Sequence, residues 1–228
     1  MVIKGFQKTT LLDFPGKVAC TVFTGGCNFR CPFCHNASLV THIREETIPL
    51  DEVLSYIKKR KGILDGVCIT GGEPLLQHGI EDFCRAIHNE GLLVKLDTNG
   101  AEHDRLRSIL SQGLVDYVAM DIKNSKEEYA RTCGLPSFPE GVEKSVSLLM
   151  SMGVPYEFRT TVVREFHTEQ SLLSLAEWIR GAERYFLQAF TDSGDLIEGG
   201  LSAYSADQMH AFAERLKLIL PCVQVRGI

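Results

Sequence analysis

The chain has 228 residues, 44% hydrophobic and 23% charged, with a formal net charge of −5. That balance suits a folded globular protein. It argues against broad nucleic-acid binding, which needs a basic face, and no apolar run is long enough to span a bilayer. The opening MVIKGFQKTT lacks the apolar core of a secretory signal, so cytoplasmic residence is expected.

In chain order, KTTLLDFPGK (8–17) reads as a turn-bearing lead-in. VACTVF (18–23) follows as a strand, nearly continuous in apolar residues, as where helices cover both faces. Leu50, Val53, Leu54 and Ile57 fall at helical spacing. The run KKRK (58–61) ends that helix, where cations complement the macrodipole; a docking patch for an acidic partner is the alternative. GVCIT (66–70) is a strand, followed by a helix bearing Ile80, Phe83, Cys84 and Ile87. LLVKLD (92–97) and YVAMDI (117–122) flank a helix with Leu106, Ile109 and Leu110, closed by Gly113. Val142, Val146, Leu149 and Met150 share a helix face ending before Gly153, and EFRTTVV (157–163) is the next strand. Thr168 caps a helix carrying Leu172, Leu175, Ala176 and Ile179, and YFLQAF (185–190) follows. Ser205 with Gln208 forms a capping box ahead of Met209, Phe212, Leu216 and Ile219, and VQV (223–225) closes the chain.

This alternation predicts an α/β fold with a parallel sheet and right-handed crossovers. Almost every strand ends in polar or glycine residues: TGGC, TGGEP, DTNG, DIKN, RTT and then Gln188. Reactive groups contributed by several strand ends favour a partial barrel over a doubly wound sheet. One domain is expected over 1–228, comprising a lead-in (1–17), six βα units (18–190) and a C-terminal helix and short strand (191–228).

GGCNFRCPFCHN (25–36) places Cys27, Cys31 and Cys34 at C-x-x-x-C-x-x-C, with no fourth cysteine before Cys68. Thiolates hold iron–sulfur clusters, usually four to a cube, so three leave one iron open. A Cys3His zinc site is the rival, although His35 directly beside a ligand is poorly placed to fold back; loose thiols are a third reading. The remaining cysteines, Cys20, Cys68, Cys84, Cys133 and Cys222, read as small hydrophobes. His35, His78 and His167 read as polar loop residues. An open iron can take a chelating amino acid. In TGGEP (70–74), Gly71 and Gly72 allow close backbone approach and Glu73 can accept from an ammonium. A plain strand-to-helix turn is the simpler reading.

With the triplet and GGE side by side, the chain resembles radical S-adenosylmethionine (SAM) enzymes. KTTLLDFPGKVACTVFTGGCNFRCPFCHN, TGGEPLLQ, DTNG, MDIK and EFRTTVV resemble, more particularly, the activating enzymes of glycyl-radical proteins. The likeness is greatest to the longer activating proteins of anaerobic ribonucleoside-triphosphate reductase. The fold implied is a partial (βα)6 TIM-like barrel of the radical SAM type. The resemblance implies that Cys27, Cys31 and Cys34 ligate one [4Fe–4S] cluster and that SAM takes the fourth iron. Phe33 would lie beside the adenine, and Gly71, Gly72 and Glu73 would engage the methionine amine. Asp97, Thr98 and Asp121 would surround a monovalent cation, with Asn99 alongside and Lys123 reaching the SAM carboxylate. Arg159 and Gln188 would complete the mouth. Asp97 and Asn99 also suit a turn, and Asp121 with Lys123 a same-face ion pair. The implied partners are a glycyl-radical protein, the large subunit of anaerobic ribonucleotide reductase, and a flavodoxin or ferredoxin-type electron donor. The alternatives are the activase of another glycyl-radical enzyme, such as a formate-lyase type, a radical SAM enzyme acting on a small molecule, and a non-catalytic metal-binding module.

Overall fold

A computed structural model describes residues 1–41 and 46–228. The strands are β1 (Ile3–Thr10), β2 (Ala19–Thr24), β3 (Gly66–Gly71), β4 (Leu93–Thr98), β5 (Tyr117–Asp121), β6 (Tyr156–Val162), β7 (Tyr185–Ala189) and β8 (Val223–Arg226). The helices are α1 (Ala37–Thr41), α2 (Leu50–Lys59), α3 (Ile80–Asn89), α4 (His103–Ser111), α5 (Lys126–Cys133), α6 (Glu140–Met152), α7 (Glu169–Trp178) and α8 (Ala206–Leu216). Strand order follows chain order. The chain gathers into two compact units, Met1–Asn28 with Ser38–Ala119, and Phe29–Ala37 with Met120–Ile228.

In the first unit β2, β3 and β4 run parallel, and β1 joins β2 antiparallel. The segment read as a lead-in therefore contains a strand. Its burial lacks a clean alternation, so the sequence carries little β signal there. The register sorts side chains by face. Cys20, Val22, Val67, Ile69, Val94 and Leu96 lie on one face, all fully buried. This face suits the apolar sides of α2 (Val53, Ile57) and α3 (Ile80, Phe83, Cys84, Ile87), of which α3 packs on β4. The opposite face of the same strands packs Ala19 and Leu93 with Phe14 and Tyr117 at its start and then turns polar although buried, with Thr21 beside Cys68 and Cys68 beside Lys95. The first parallel strand is thus buried on both faces, as its apolar run implied. Lys58 and Lys59 sit in the last turn of α2, where the dipole reading put them.

The second unit repeats the arrangement. β6, β7 and β8 run parallel, with Phe158, Thr160, Tyr185, Leu187 and Val223 on one face. Arg159, Thr161, Phe186, Gln188, Gln224 and Arg226 form the other. Tyr185 is buried and donates to Thr160 Oγ1 at 2.9 Å, which satisfies its hydroxyl. The capping box at Ser205 forms with Gln208, and Thr168 caps its helix and closes a box of its own with Ser171. Helix α5 has no counterpart in the sequence reading, because KEEYARTC buries only Tyr129, Thr132 and Cys133 on a mostly charged helix. Among the described residues no helix is long and apolar enough to cross a membrane.

Candidate functional site

In the first unit, the carboxyl ends of β2, β3 and β4 interlock through backbone. Gly71 has φ +111°, and a Cβ there would lie 2.4 Å from the Thr24 nitrogen. A Cβ on Gly72 would lie 1.9 Å from the Gly26 carbonyl oxygen, inside any permissible contact. Gly72 N donates to Thr24 O at 2.8 Å and Glu73 N to Gly26 O at 2.7 Å. Both glycines are therefore required by the chain itself, to let TGGEP lie on the TGGC turn that presents Cys27.

Glu73 is fully buried, and its carboxylate faces protein donors. Oε1 accepts from Leu75 N at 3.0 Å and Thr98 Oγ1 at 2.8 Å; Oε2 accepts from Asn99 N at 2.7 Å. The carboxylate thus ties the TGGEP turn to DTNG. Asn99 closes the turn expected of DTNG and also reaches the triplet's first cysteine. Its Oδ1 takes the Ala101 N–H at 2.9 Å, closing the turn. Its Nδ2 donates to Asn28 Oδ1 at 2.8 Å and to Cys27 Sγ at 3.7 Å. Cys27, Gly71, Gly72, Glu73, Thr98 and Asn99 accordingly form one connected network. Asp97 is turned to the polar sheet face instead, ion-paired with Lys95 and 3.8 Å from Cys68 Sγ.

In the second unit, Asp121 accepts from Arg159 Nε at 2.8 Å and from Lys123 Nζ at 3.0 Å. Burial alone would raise the Asp121 pKa; the charges of Arg159 and Lys123 outweigh it and hold the carboxyl well below the usual range. Burial likewise opposes the Lys123 charge, but Asp121, then Cys31, keep its pKa above the ordinary value. The same-face pair read from DIK is real and gains a third member from β6.

Cys31 lies nearby in this unit, buried. A side-chain hydrogen bond with Cys133 outweighs burial and lowers its thiol pKa, assisted by Lys123. Burial pushes the Cys34 thiol up. Cys133, on α5, is fully buried, as a small hydrophobe would be, and also hydrogen-bonds Cys31; Cys68 is likewise fully buried and lies 3.8 Å from Asp97 Oδ1. Cys20 and Cys84 do behave as core residues, with thiols pushed up to about 12 by burial.

Phe33 is buried against Phe166, with centroids 5.7 Å apart, and His167, at 6.2 Å. Gln188 is half-buried and pairs in register with Thr161 and Arg226.

His167 lies in the loop ahead of α7, as expected, but is not exposed there. It is fully buried; Nδ1 accepts from Val163 N at 3.1 Å, and Nε2 lies 2.7 Å from the Lys123 carbonyl. A carbonyl facing Nε2 calls for a proton on that nitrogen, and burial holds the pKa below its ordinary value. His167 thereby fixes the backbone that presents Lys123. The loop after β7 also escaped the sequence reading. Glu198 N donates to Pro32 O at 3.0 Å and Ala37 N to Asp195 O at 3.4 Å, so this loop clasps the CPFCHN turn. Backbone contacts of this kind leave no side-chain signature.

The radical SAM superfamily model matches residues 21–179. The chain belongs to the radical SAM superfamily. A protein from Methanocaldococcus jannaschii, provisionally named a glycyl-radical enzyme activating enzyme, is 29% identical over 83% of this chain and 80% of its own length. A GTP 3′,8-cyclase from Helicobacter pylori is 29% identical over 69% of this chain and 50% of that protein. The crystal structure of Streptococcus suis SuiB bound to its precursor peptide has a TM-score of 0.74 at 14% identity. The match covers 91% of this radical SAM chain and 48% of SuiB, so the chain spans about half of that protein. This last likeness bears on the fold alone, and it agrees with the α/β partial barrel of the radical SAM type expected from the sequence.

The superfamily implies a [4Fe–4S] cluster and SAM, and the donor chemistry fits the cluster. Cys27, Cys31 and Cys34 offer thiol sulfurs, with an amide N–H from Asn99 on Cys27 and an ammonium near Cys31. Soft thiolates with such donors suit iron–sulfur ligation. Among the described residues no group of three or more His, Cys, Asp or Glu is gathered tightly enough to hold a single metal ion. A bare monovalent cation fits less well, because Asp97 and Asp121 each already hold a side-chain cation.

Proposed function

We propose that this radical SAM enzyme is an activase that reductively cleaves SAM and takes a hydrogen atom from a glycine of a partner protein. The single observation that carries the reading is the bond from Asn99 Nδ2 to Cys27 Sγ, which joins the GGE–DTNG network to the first cysteine of the triplet. Support for an activase comes from LLDFPGK and CPFCHN, and from the relative in M. jannaschii matched over most of both chains. The anaerobic ribonucleotide reductase large subunit is the proposed substrate, with a flavodoxin or ferredoxin-type donor, in the cytoplasm. Residues 1–228 would act as one radical SAM domain.

Cys27, Cys31 and Cys34 would hold the cluster. When bound, the cluster and SAM supply the electron transfer and the homolytic chemistry. The chain's own residues orient and shield. Glu73 fixes the TGGEP backbone, whose polar groups would meet the methionine amine together with Asn99. Lys123, kept cationic by Asp121, would meet the SAM carboxylate. Phe33 would flank the adenine, and Arg159 and Gln188 would line the approach.

Reduced protein mixed anaerobically with SAM should release 5′-deoxyadenosine, and with its partner should give the paramagnetic resonance doublet of a glycyl radical. Cys31→Ala should abolish both while the fold survives; undiminished 5′-deoxyadenosine from that variant would sink the assignment. A radical SAM enzyme acting on a small molecule is the second reading, favoured by the GTP 3′,8-cyclase match. Turnover of a purified metabolite without any protein partner would select it.

A further inference from the structure

The polar face of the first unit carries a charge that the proposed reaction does not use. Lys95 is 2% exposed, on β4, two residues before Asp97 and therefore on the same side of the strand. Its ammonium pairs with Asp97 Oδ1 and lies 3.8 Å from Cys68 Sγ, directly opposite in the β3–β4 ladder. Cys68 Sγ is also 3.8 Å from Asp97 Oδ1. Asp97, at 14% side-chain exposure, thus sits at the end of a buried cationic stem, one residue before the Thr98–Glu73 bond.

An ammonium and an alkali cation carry the same charge and seek the same carboxylate oxygen. A second cation on that oxygen would stand beside Lys95 in a buried setting where like charges are poorly screened. We infer that Lys95 is a built-in substitute for a monovalent metal ion at Asp97, and that SAM binding by this protein does not depend on such an ion. Lys95 is then a positioning residue: it holds Asp97 in place for the adjoining Thr98 and Asn99. The covalent tether removes the need to capture an ion from solution. The inference rests on the SAM-binding reading of this edge, and it deepens that reading by excluding one cofactor.

The test uses full-length, cluster-loaded protein at constant ionic strength in potassium, sodium or choline chloride, without reductant. The unfolding midpoint and the SAM dissociation constant are measured in each salt. For the native chain both should be the same in all three. Lys95→Met leaves Asp97 without its ammonium, and its midpoint should fall by on the order of 10 °C in choline. Part of that loss should return in potassium, along with tighter SAM binding. Lys95→Met combined with Asp97→Asn removes both charges, folds without the pair, and should show no response to potassium. Native protein binding SAM several-fold more tightly in potassium than in choline would overturn the inference. A Lys95→Met variant with identical midpoints in all salts would overturn it too. If Lys95→Met does not fold in any salt, the native-chain comparison decides by itself. Absence of SAM cleavage under reduction would count against the proposed activity but leaves the salt comparison of midpoints intact, so the two failures are distinguishable.

Discussion

The strand ends of the two units are held in contrasting ways. In the first, one fully buried carboxylate, Glu73, is gripped by two backbone N–H groups and a hydroxyl, over glycines that touch backbone. In the second, Asp121 is gripped by two cations, and the three side chains remain 15–30% exposed. Neutral, backbone-borne donors set geometry and are indifferent to salt. A charge cluster at partial exposure sets potential, tolerates adjustment and responds to ionic strength.

The contrast breaks first at Gly72. Gly72→Ala drives a methyl into the Gly26 carbonyl, and the expected loss is more than ~4 kcal/mol, read as a failure to purify folded protein or a collapse of the urea midpoint. Glu73→Gln is gentler. One oxygen becomes an NH2 that confronts a donor, so a loss of about 1–3 kcal/mol is expected in urea unfolding. Asp121→Asn should lose less, about 1–2 kcal/mol, since water reaches both cations left behind. The sharpening experiment is to repeat these two in low and high salt. The Asp121→Asn deficit should shrink as salt rises, whereas the Glu73→Gln deficit should not move; equal shifts would erase the distinction.

The smallest effect concerns pH. His167 has a folded-state pKa below the unfolded value of about 6.5. The unfolded chain therefore binds the proton first, and the contribution of His167 to stability is complete above that value and is lost as pH falls toward the folded pKa. Between pH 7 and 5, native protein should lose stability that His167→Gln does not. Parallel pH profiles for the two would show that the ring is not held neutral.

The Asp121 pair runs by the same rule. Its depressed carboxyl contributes in full above the ordinary Asp value of about 3.9 and loses that contribution only below it. Lys123, raised, contributes in full below its ordinary value of about 10.4 and loses it only as pH rises beyond. The second edge is thus constant across the neutral range, so the pH profile there reports on His167 and on His35, whose pKa burial and Lys123 also lower.

Much of this was legible in the chain. Cys27, Cys31 and Cys34 carry their spacing openly; Leu50 to Ile57 and Ile80 to Ile87 carry theirs, and helices stand at both. The Asp121–Lys123 pair was legible because two residues on a strand share a face. Lys95 and His167 were not. A lysine in a strand or a histidine in a loop is usually exposed, and its burial depends on partners that local pattern does not specify. β1 was missed because its side chains lack alternating burial, and its pairing with β2 is what defines it.

The sequence by itself determined the alternation of strand and helix, the cysteine triplet and the glycines at the strand ends, because each is a matter of near neighbours and short spacing. Tertiary structure alone decided that Glu73 would be spent on Thr98 and Asn99, 25 and 26 residues away, and that Lys95 would meet Cys68 across a ladder. Those contacts exist only once distant strands lie in register, and a buried charge can be kept only where the fold brings its counterpart.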